Sequence, residues 1–247
     1  ELDVFMPLDN LPKIIQSHIL STMNKPQDQY YEVKSNEIHI TETLYCIRKS
    51  HYKRKRPVPV ELRAAYNMYR GNELDNRWTP LFPNNQLRCT HRIAGLPVTI
   101  VGKYDFFDPE DQCLGDLKTV KNLFYCKEGP KTEHVKQVRF YCYCNAIAKA
   151  KIIYVDYGDC VKHIVEITDE LCHEVIKEVE TLAIALYWSL VNDVPPEVDM
   201  TGKTWLCGEQ KDYQCEYYNV CHGLTEEGLL AQLAESELKR VTKKGKK

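Results

Sequence analysis

The chain of 247 residues carries 33 lysines and arginines against 35 aspartates and glutamates, a formal net charge of −2, with 43% hydrophobic residues, 28% charged residues and 11 cysteines. At roughly 100–200 residues per domain this is one large domain or one with an appendage, and the composition excludes disordered, collagen-like and small disulfide-stapled classes. The longest apolar stretch, 181–191, is far short of the roughly 18 residues of a membrane span, and residues 1–10 show neither the basic nor the apolar part of a secretory signal, so a cytoplasmic protein without a membrane partner is expected.

Taken in chain order, the first predicted element is a short amphipathic helix beginning near Asn10, with Pro12 in its first turn. Thr41 or Thr43 can cap the next helix, which carries Cys46 and a basic run until Pro57 and Pro59 interrupt it. A third helix covers 61–78. Turn residues Pro83, Asn84 and Asn85 precede strands at 87–93 and 97–107, joined through Ala94-Gly95, and the turn Asp108-Pro109-Glu110-Asp111 leads to a strand at 113–120. This reads as an antiparallel meander. A helix at 133–150 follows, then strands at 151–157 and 161–167 around Gly158-Asp159. A long helix at 169–192 sets Leu171, Val175, Val179, Leu182, Leu186 and Leu190 on one core-facing stripe. Beyond Pro195 and Pro196 the pattern becomes loop-rich, then a polar helix and a basic tail. Helices around a run of strands indicate an α/β or α+β fold with helices packed on a mixed sheet.

In a reducing compartment, 11 cysteines call for an explanation other than disulfides. Most stand singly in apolar patterns and read as small buried hydrophobes, whereas Cys207, Cys215 and Cys221 form a cluster. The near-neutral total also hides blocks of charge. Six of the nine residues from 48 to 56 are basic (Arg48, Lys49, Lys53, Arg54, Lys55 and Arg56), with Tyr52 between them, and this run is a candidate phosphate-contacting surface.

The most informative stretch is Gly102-Lys103-Tyr104-Asp105 followed by Gly115-Asp116-Leu117-Lys118. Asp116 and Lys118 share one face of a strand, because side chains alternate with period two. If the strands on either side of the Asp108–Asp111 turn pair, Asp105 converges on Asp116. Two carboxylates and one ammonium suit a hard cation such as magnesium or manganese, which prefers oxygen ligands and keeps waters for a substrate phosphate. Such an ion polarises a phosphodiester and acidifies a bound water, and Lys118 can orient that water, so phosphodiester hydrolysis is the implied reaction. Gln137 and Tyr141, four residues apart, share a helix face from which an amide and a phenol could reach a nucleic-acid backbone or Lys118. Upstream, Gly71-Asn72-Glu73-Leu74-Asp75 ends a helix with a further carboxylate.

In this order, Gly-x3-Asp, Gly-x2-Asp, Gly-Asp-x-Lys and Gln-x3-Tyr, the chain resembles the RecB-like nucleases of the PD-(D/E)xK superfamily. Leu44-Tyr45-Cys46-Ile47-Arg48-Lys49 looks like the early cysteine segment of the members that hold an iron-sulfur cluster between their chain ends. Trp205-Leu206-Cys207 and Gln214-Cys215-Glu216-Tyr217-Tyr218-Asn219-Val220-Cys221 look like the late one. Among these members the CRISPR-associated exonuclease Cas-four family is the nearest in size and pattern, and the matching motifs run from 41 to 222.

The resemblance implies a restriction-endonuclease-like mixed sheet flanked by helices, with a cysteine-ligated cluster joining the chain ends. It implies a divalent-metal-dependent exonuclease acting on single-stranded DNA ends, trimming spacer precursors in CRISPR adaptation with integrase partners. On its terms Asp75, Asp105 and Asp116 bind Mg2+ or Mn2+, Lys118 assists the attacking water, and Gln137 and Tyr141 position substrate or Lys118. Cys46, Cys207, Cys215 and Cys221 hold the cluster, 4Fe-4S by preference and otherwise 2Fe-2S or zinc. Residues 48–56 guide DNA toward the carboxylates. Asp75 stands where the family has histidine, with Glu73 as its fallback. The spacing Cys-x7-Cys-x5-Cys differs from the family's at Cys207, which Cys89 or Cys126 could replace. The expected organisation is an N-terminal helical segment (1–40), a helical segment with the first cluster cysteine (41–80), the nuclease core (81–192), the cluster segment (193–225) and a polar helix with basic tail (226–247). Two rivals stand beside this reading: a catalytically silent DNA-binding or assembly subunit, and a zinc-containing nucleic-acid-binding regulator.

Overall fold

A computed structural model describes residues 8, 11–24, 36–156, 158–197 and 215–221. The helices are α1 (Lys13–Met23), α2 (Ile40–Leu44), α3 (Ile47–Lys55), α4 (Leu62–Trp78), α5 (Thr132–Asn145), α6 (Asp169–Asn192) and the single turn α7 (Tyr218–Cys221). The strands are β1 (Glu37–His39), β2 (Asn84–Asn85), β3 (Arg88–Arg92), β4 (Thr99–Lys103), β5 (Phe106–Asp108), β6 (Cys113–Thr119), β7 (Ala150–Val155) and β8 (Cys160–Val165). They form a three-stranded sheet in the order β1-β4-β3 and a five-stranded sheet in the order β2-β5-β6-β7-β8. Each sheet is mixed, with β1-β4 and β6-β7 parallel and the other pairs antiparallel. Strands β6 and β7 can run parallel because α5 carries the chain back between them. The mixed α+β architecture expected from the sequence is therefore present. None of the helices among the described residues is long and apolar enough to cross a membrane.

The segment expected as one strand over 97–107 is two strands in different sheets. The break falls at Tyr104-Asp105. Opposite it, Gln86 takes a left-handed φ of 51°, its amide donates to the Asp105 carbonyl at 2.9 Å, and the Tyr104 amide donates to the Leu87 carbonyl at 3.3 Å. An irregularity of this kind bends the strand and re-aims a side chain, as bulges beside active sites do. The simple meander is thereby corrected.

Helix ends depart from expectation for local reasons. His39 caps α2, its ring accepting the Thr41 amide while Glu42 accepts the His39 amide at 2.7 Å, so the cap is neither Thr41 nor Thr43. The expected single helix through Cys46 is two helices broken at Tyr45, and the Cys46 thiol caps the second by accepting the Lys49 amide at 3.4 Å. Helix α5 ends at Asn145 and not at 150, because Ala146 turns left-handed and Ala150 already belongs to β7. Helix α6 matches its predicted span, capped by Thr168. Val175, Val179, Leu186 and Leu190 of its stripe are buried with Cys172, Ile176 and Ala183, while Leu171 and Leu182 lie at the margin.

One core joins both sheets to α5 and α6 through residues such as Ile38, Ile100, Leu114, Phe140, Ile152 and Val179. A satellite cluster of Ile19, Met23 and Ala65 fastens α1 to α4, the helix that carries Asp75.

Candidate active site

Strand β6 lies between β5 and β7, and its burial is what makes a carboxylate there unusual. Asp116 is only 1% exposed, flanked by the buried residues Leu114 and Leu117. Its compensation comes from Lys118, which donates to Asp116 Oδ1 at 3.0 Å and sits 2.8 Å from Oδ2. That second contact is off-angle for a hydrogen bond, so Oδ2 is a buried oxygen without a hydrogen-bond donor among the described residues. Burial pushes the Asp116 carboxyl above its usual range against the pull of Lys118. For Lys118, burial disfavours the charge, but Asp116 and Asp105 outweigh it and raise its pKa.

Asp105 reaches the same place from the bend before β5. Phe106 pairs with Gly115 across the antiparallel β5-β6 ladder, and one step further along it the Asp105 Oδ2 accepts the Leu117 amide at 2.6 Å. Burial, then the neighbouring Asp116, push its carboxyl up to about 7, with Lys118 opposing. Two carboxylates that resist joint ionisation signal a place for a cation.

Asp75 enters from α4. Its carboxyl is raised by burial, and it feels both Lys118 and Asp116. Glu73, the fallback for this position, is turned to its own helix neighbour Arg77 at 3.7 Å. Asp75 is therefore the α4 carboxylate that belongs with β6. Among the described residues no three His, Cys, Asp or Glu side chains are gathered closely enough to hold a metal ion. Mg2+ does not need three, since it keeps several waters and takes one or two carboxylates. The buried Asp116 carboxylate and the neighbouring Asp105 carboxyl are oxygen donors that such an ion fits.

Two glycines shape this corner. A Cβ on Gly115 would lie 2.1 Å from Phe106 Cζ, so only glycine lets the Phe106 ring cross β6, where it stacks on Phe82 at 4.0 Å. A Cβ on Gly102 would meet Tyr141 Cε1 at 2.5 Å. The glycine of Gly-Asp-x-Lys thus holds the register that brings Asp105 to Asp116.

Gln137 and Tyr141 do meet each other, with Gln137 Nε2 donating to the Tyr141 hydroxyl at 2.7 Å. Tyr141 is fully buried, and burial raises its phenol well above the ordinary value, with Asp116 adding to the effect. This places Tyr141 under the carboxylates as packing and not on a DNA-contacting surface.

Three side chains beside Lys118 escaped the sequence reading. Tyr154 is the β7 partner of Lys118, and its hydroxyl meets His134 Nδ1 at 2.8 Å and accepts the Lys131 amide at 3.0 Å. Burial, then Lys118, lower His134 to about 3, so its ring is neutral. Tyr45 feels Lys118 and Asp116, although burial is the main cause of its raised phenol. The available signal was His134 three residues before Gln137, on the same helix face.

The basic run of α3 is spent largely on packing. Tyr52 is buried and stacks on Tyr217, and Arg54 binds Glu42 at 2.7 Å through Nε and the Glu37 carbonyl at 2.8 Å. Arg48 donates to the carbonyls of Pro196 at 2.6 Å and Cys221 at 3.2 Å, while Lys49 and Lys55 pair with Glu216 and Asp193. This corrects the expectation of a solvent-facing DNA path for Tyr52 and Arg54. Lys53, Lys55 and Arg56 remain exposed.

Those same contacts fasten 215–221 beside Cys46. The thiols of Cys46, Cys215 and Cys221 are within electrostatic reach of one another, although burial is the first cause of the raised pKa of Cys215 and Cys221. Cys207 lies outside the described residues. Its substitutes are committed elsewhere: Cys89 and Cys126 are both buried in the main core.

No family model and no curated protein matches the sequence. Among solved structures, the crystal structure of SSO0001 aligns with a TM-score of 0.58 at 14% identity, over 86% of this chain and 96% of its own. A phage related exonuclease from Haemophilus somnus 129PT aligns at 0.48 and 14% identity, over 64% of this chain and 96% of its own. An alkaline exonuclease from Laribacter hongkongensis aligns at 0.49 and 15% identity, over 67% and 95%. The fold of this chain is thus similar to that of SSO0001 across nearly its whole length.

Proposed function

We propose that this protein is a divalent-metal-dependent DNA nuclease. The observation that carries the reading is the buried Asp116-Lys118 pair, with Asp105 bonded to the adjacent Leu117 amide and Asp75 within electrostatic reach. Mg2+ or Mn2+, when bound, supplies Lewis-acid polarisation of the phosphodiester and an acidified water. Asp116 and Asp105 would hold the ion, with Asp75 as a further oxygen donor in reach of the site. Lys118 opposes the burial that raises the Asp116 carboxyl and presents its ammonium where charge develops on the phosphoryl oxygens. Gln137 and Tyr141 support this floor from beneath.

The finer reading follows the resemblance to the Cas-four family: exonucleolytic trimming of single-stranded DNA ends, in the service of CRISPR adaptation with integrase partners. It includes an iron-sulfur cluster held by Cys46, Cys207, Cys215 and Cys221. Supporting it is the approach of the Cys215–Cys221 segment to Cys46, through Lys49-Glu216 at 2.9 Å and Tyr52-Tyr217 stacking. Ligation there would tie α3 to the late segment and stabilise the closed arrangement.

The test compares wild type with Lys118→Ala and Asp116→Ala on end-labelled single-stranded DNA. Loss of cleavage with folding and DNA binding retained is the expected result. Cleavage at the wild-type rate by either variant overturns the assignment. Binding without cleavage by the wild type would identify the silent subunit instead.

A further inference from the structure

Immediately beyond Lys118 the surface opens into a cavity of about 390 Å3 between α4 and the end of β6, which the site described above does not use. Arg70, Lys121 and Lys131 line it with the amides of Asn67 and Asn122. Arg70 and Asn67 lie on α4 within about two turns of Asp75, and Thr119, the residue after Lys118, forms part of the wall. Cations and amides gathered on one wall make a phosphate-binding surface.

Tyr125 lines it, and that ring and its neighbour Phe124 are held out into solvent. Phe124 is 70% and Tyr125 77% exposed, edge to face with centroids 5.5 Å apart. They sit on a 3-10 turn (Leu123–Cys126) whose two ends, Leu123 and Cys126, are buried. Asn122 Oδ1 accepts the Phe124 amide at 2.7 Å, and the Cys126 carbonyl contacts His163 Nε2 at 2.5 Å. A turn fixed at both ends holds the backbone that presents these rings. Rigid aromatic faces beside a cationic cavity suit a nucleobase whose own faces are free, which in a duplex they are not.

We propose that this cavity and the Phe124-Tyr125 pair bind the unpaired DNA nucleotides next to the scissile phosphate, with backbone in the cavity and a base stacked on the rim. The assignment deepens the nuclease reading and rests on it for the choice of DNA. Cationic residues of α4, the β6 end and the α5 entry then supply the path that Tyr52 and Arg54 do not.

The test is fluorescence anisotropy in EDTA with three labelled probes of equal length: a mixed-sequence single strand, an abasic strand and a blunt duplex. Wild type is expected to bind the single strand roughly tenfold or more tighter than the abasic strand, since stacking is worth about 1–3 kcal/mol per base. A Phe124→Ala/Tyr125→Ala protein should lose that preference, whereas Phe124→Tyr/Tyr125→Phe should keep it. Lys121→Ala/Lys131→Ala should weaken both strands alike and flatten the salt dependence. An RNA strand of the same sequence should show the same dependence on the aromatic pair. Retention of the base preference by the double alanine variant overturns the proposal, as does tighter wild-type binding to the duplex. Cleavage in Mn2+ is scored separately: wild-type turnover with no effect of the aromatic pair sinks this inference alone, and base-dependent binding without turnover sinks the nuclease reading alone.

Discussion

Lys118 Nζ lies 2.8 Å from Asp116 Oδ2, two residues along the same strand, with the carboxylate 1% exposed and the lysine 23% exposed. The pair holds a charge in the sheet interior that neither member could hold alone. Lys118→Ala therefore leaves Asp116 buried without its partner and should cost about 2 kcal/mol or more, short of the ~3–5 of a wholly buried pair because the ammonium is partly solvated. Adding Asp116→Asn to Lys118→Ala should recover part of the loss. Urea unfolding of the two single variants and the double variant measures the coupling.

Asp105 makes stability depend on pH in an unusual direction. Its carboxyl titrates near 3.8 in the unfolded chain and is pushed up to about 7 in the fold, by burial first and Asp116 second. Between those values the native state holds the extra proton, so this group's contribution is fully present below 3.8 and is lost as pH rises through 7. His134 acts oppositely: held near 3 against 6.5 unfolded, it removes stability as pH falls below 6.5. In EDTA, Asp105→Asn should therefore gain stability over wild type at pH 8 relative to pH 4. Mg2+ should raise the wild-type melting temperature more at pH 8 than at pH 5, because the proton competes with the ion.

Gly115→Ala should disrupt the site without touching a charged group. The added methyl would stand 2.1 Å from Phe106 Cζ, and the ring cannot withdraw without breaking its stack on Phe82. A loss of about 1–3 kcal/mol is expected from overpacking, with cleavage falling as Asp105 shifts. Urea midpoints and turnover, measured below the transition, separate the two effects.

How legible this was in the chain varies with the range of the forces involved. The approach of Asp105 to Asp116 could be read, because a polar turn between two strand-like segments dictates pairing. The break at Tyr104-Asp105 could not. It depends on Gln86, eighteen residues earlier, adopting a left-handed turn opposite it. The basic run misled for a similar reason. Arg54 and Tyr52 look like surface residues until Glu42 and Tyr217 are brought against them. Tyr141 was placed on the right helix face, but only packing over Gly102 shows that the face is buried.

Tyr52→Ala should accordingly act on folding. Removing a buried ring that stacks on Tyr217 should cost about 3 kcal/mol, while affinity for single-stranded DNA changes less than twofold. Thermal melting and anisotropy on one preparation check both.

The thiols offer an independent prediction. Protein purified without oxygen should be brown, with broad absorbance around 400 nm from thiolate-to-iron charge transfer, and should contain iron. Cys46→Ser and Cys215→Ser should each lose the colour and the iron. A colourless protein with one zinc per chain would replace the cluster with a closed zinc site.

Whether Asp105 and Asp116 hold a cation that drives DNA hydrolysis is tested most directly by release of labelled nucleotide from single-stranded DNA in Mn2+ and in EDTA. Wild type should cleave in Mn2+ and stop in EDTA, and Asp116→Asn should be slower by at least about 100-fold in Mn2+. Cleavage that persists in EDTA, or an Asp116→Asn protein as fast as wild type, would contradict that role.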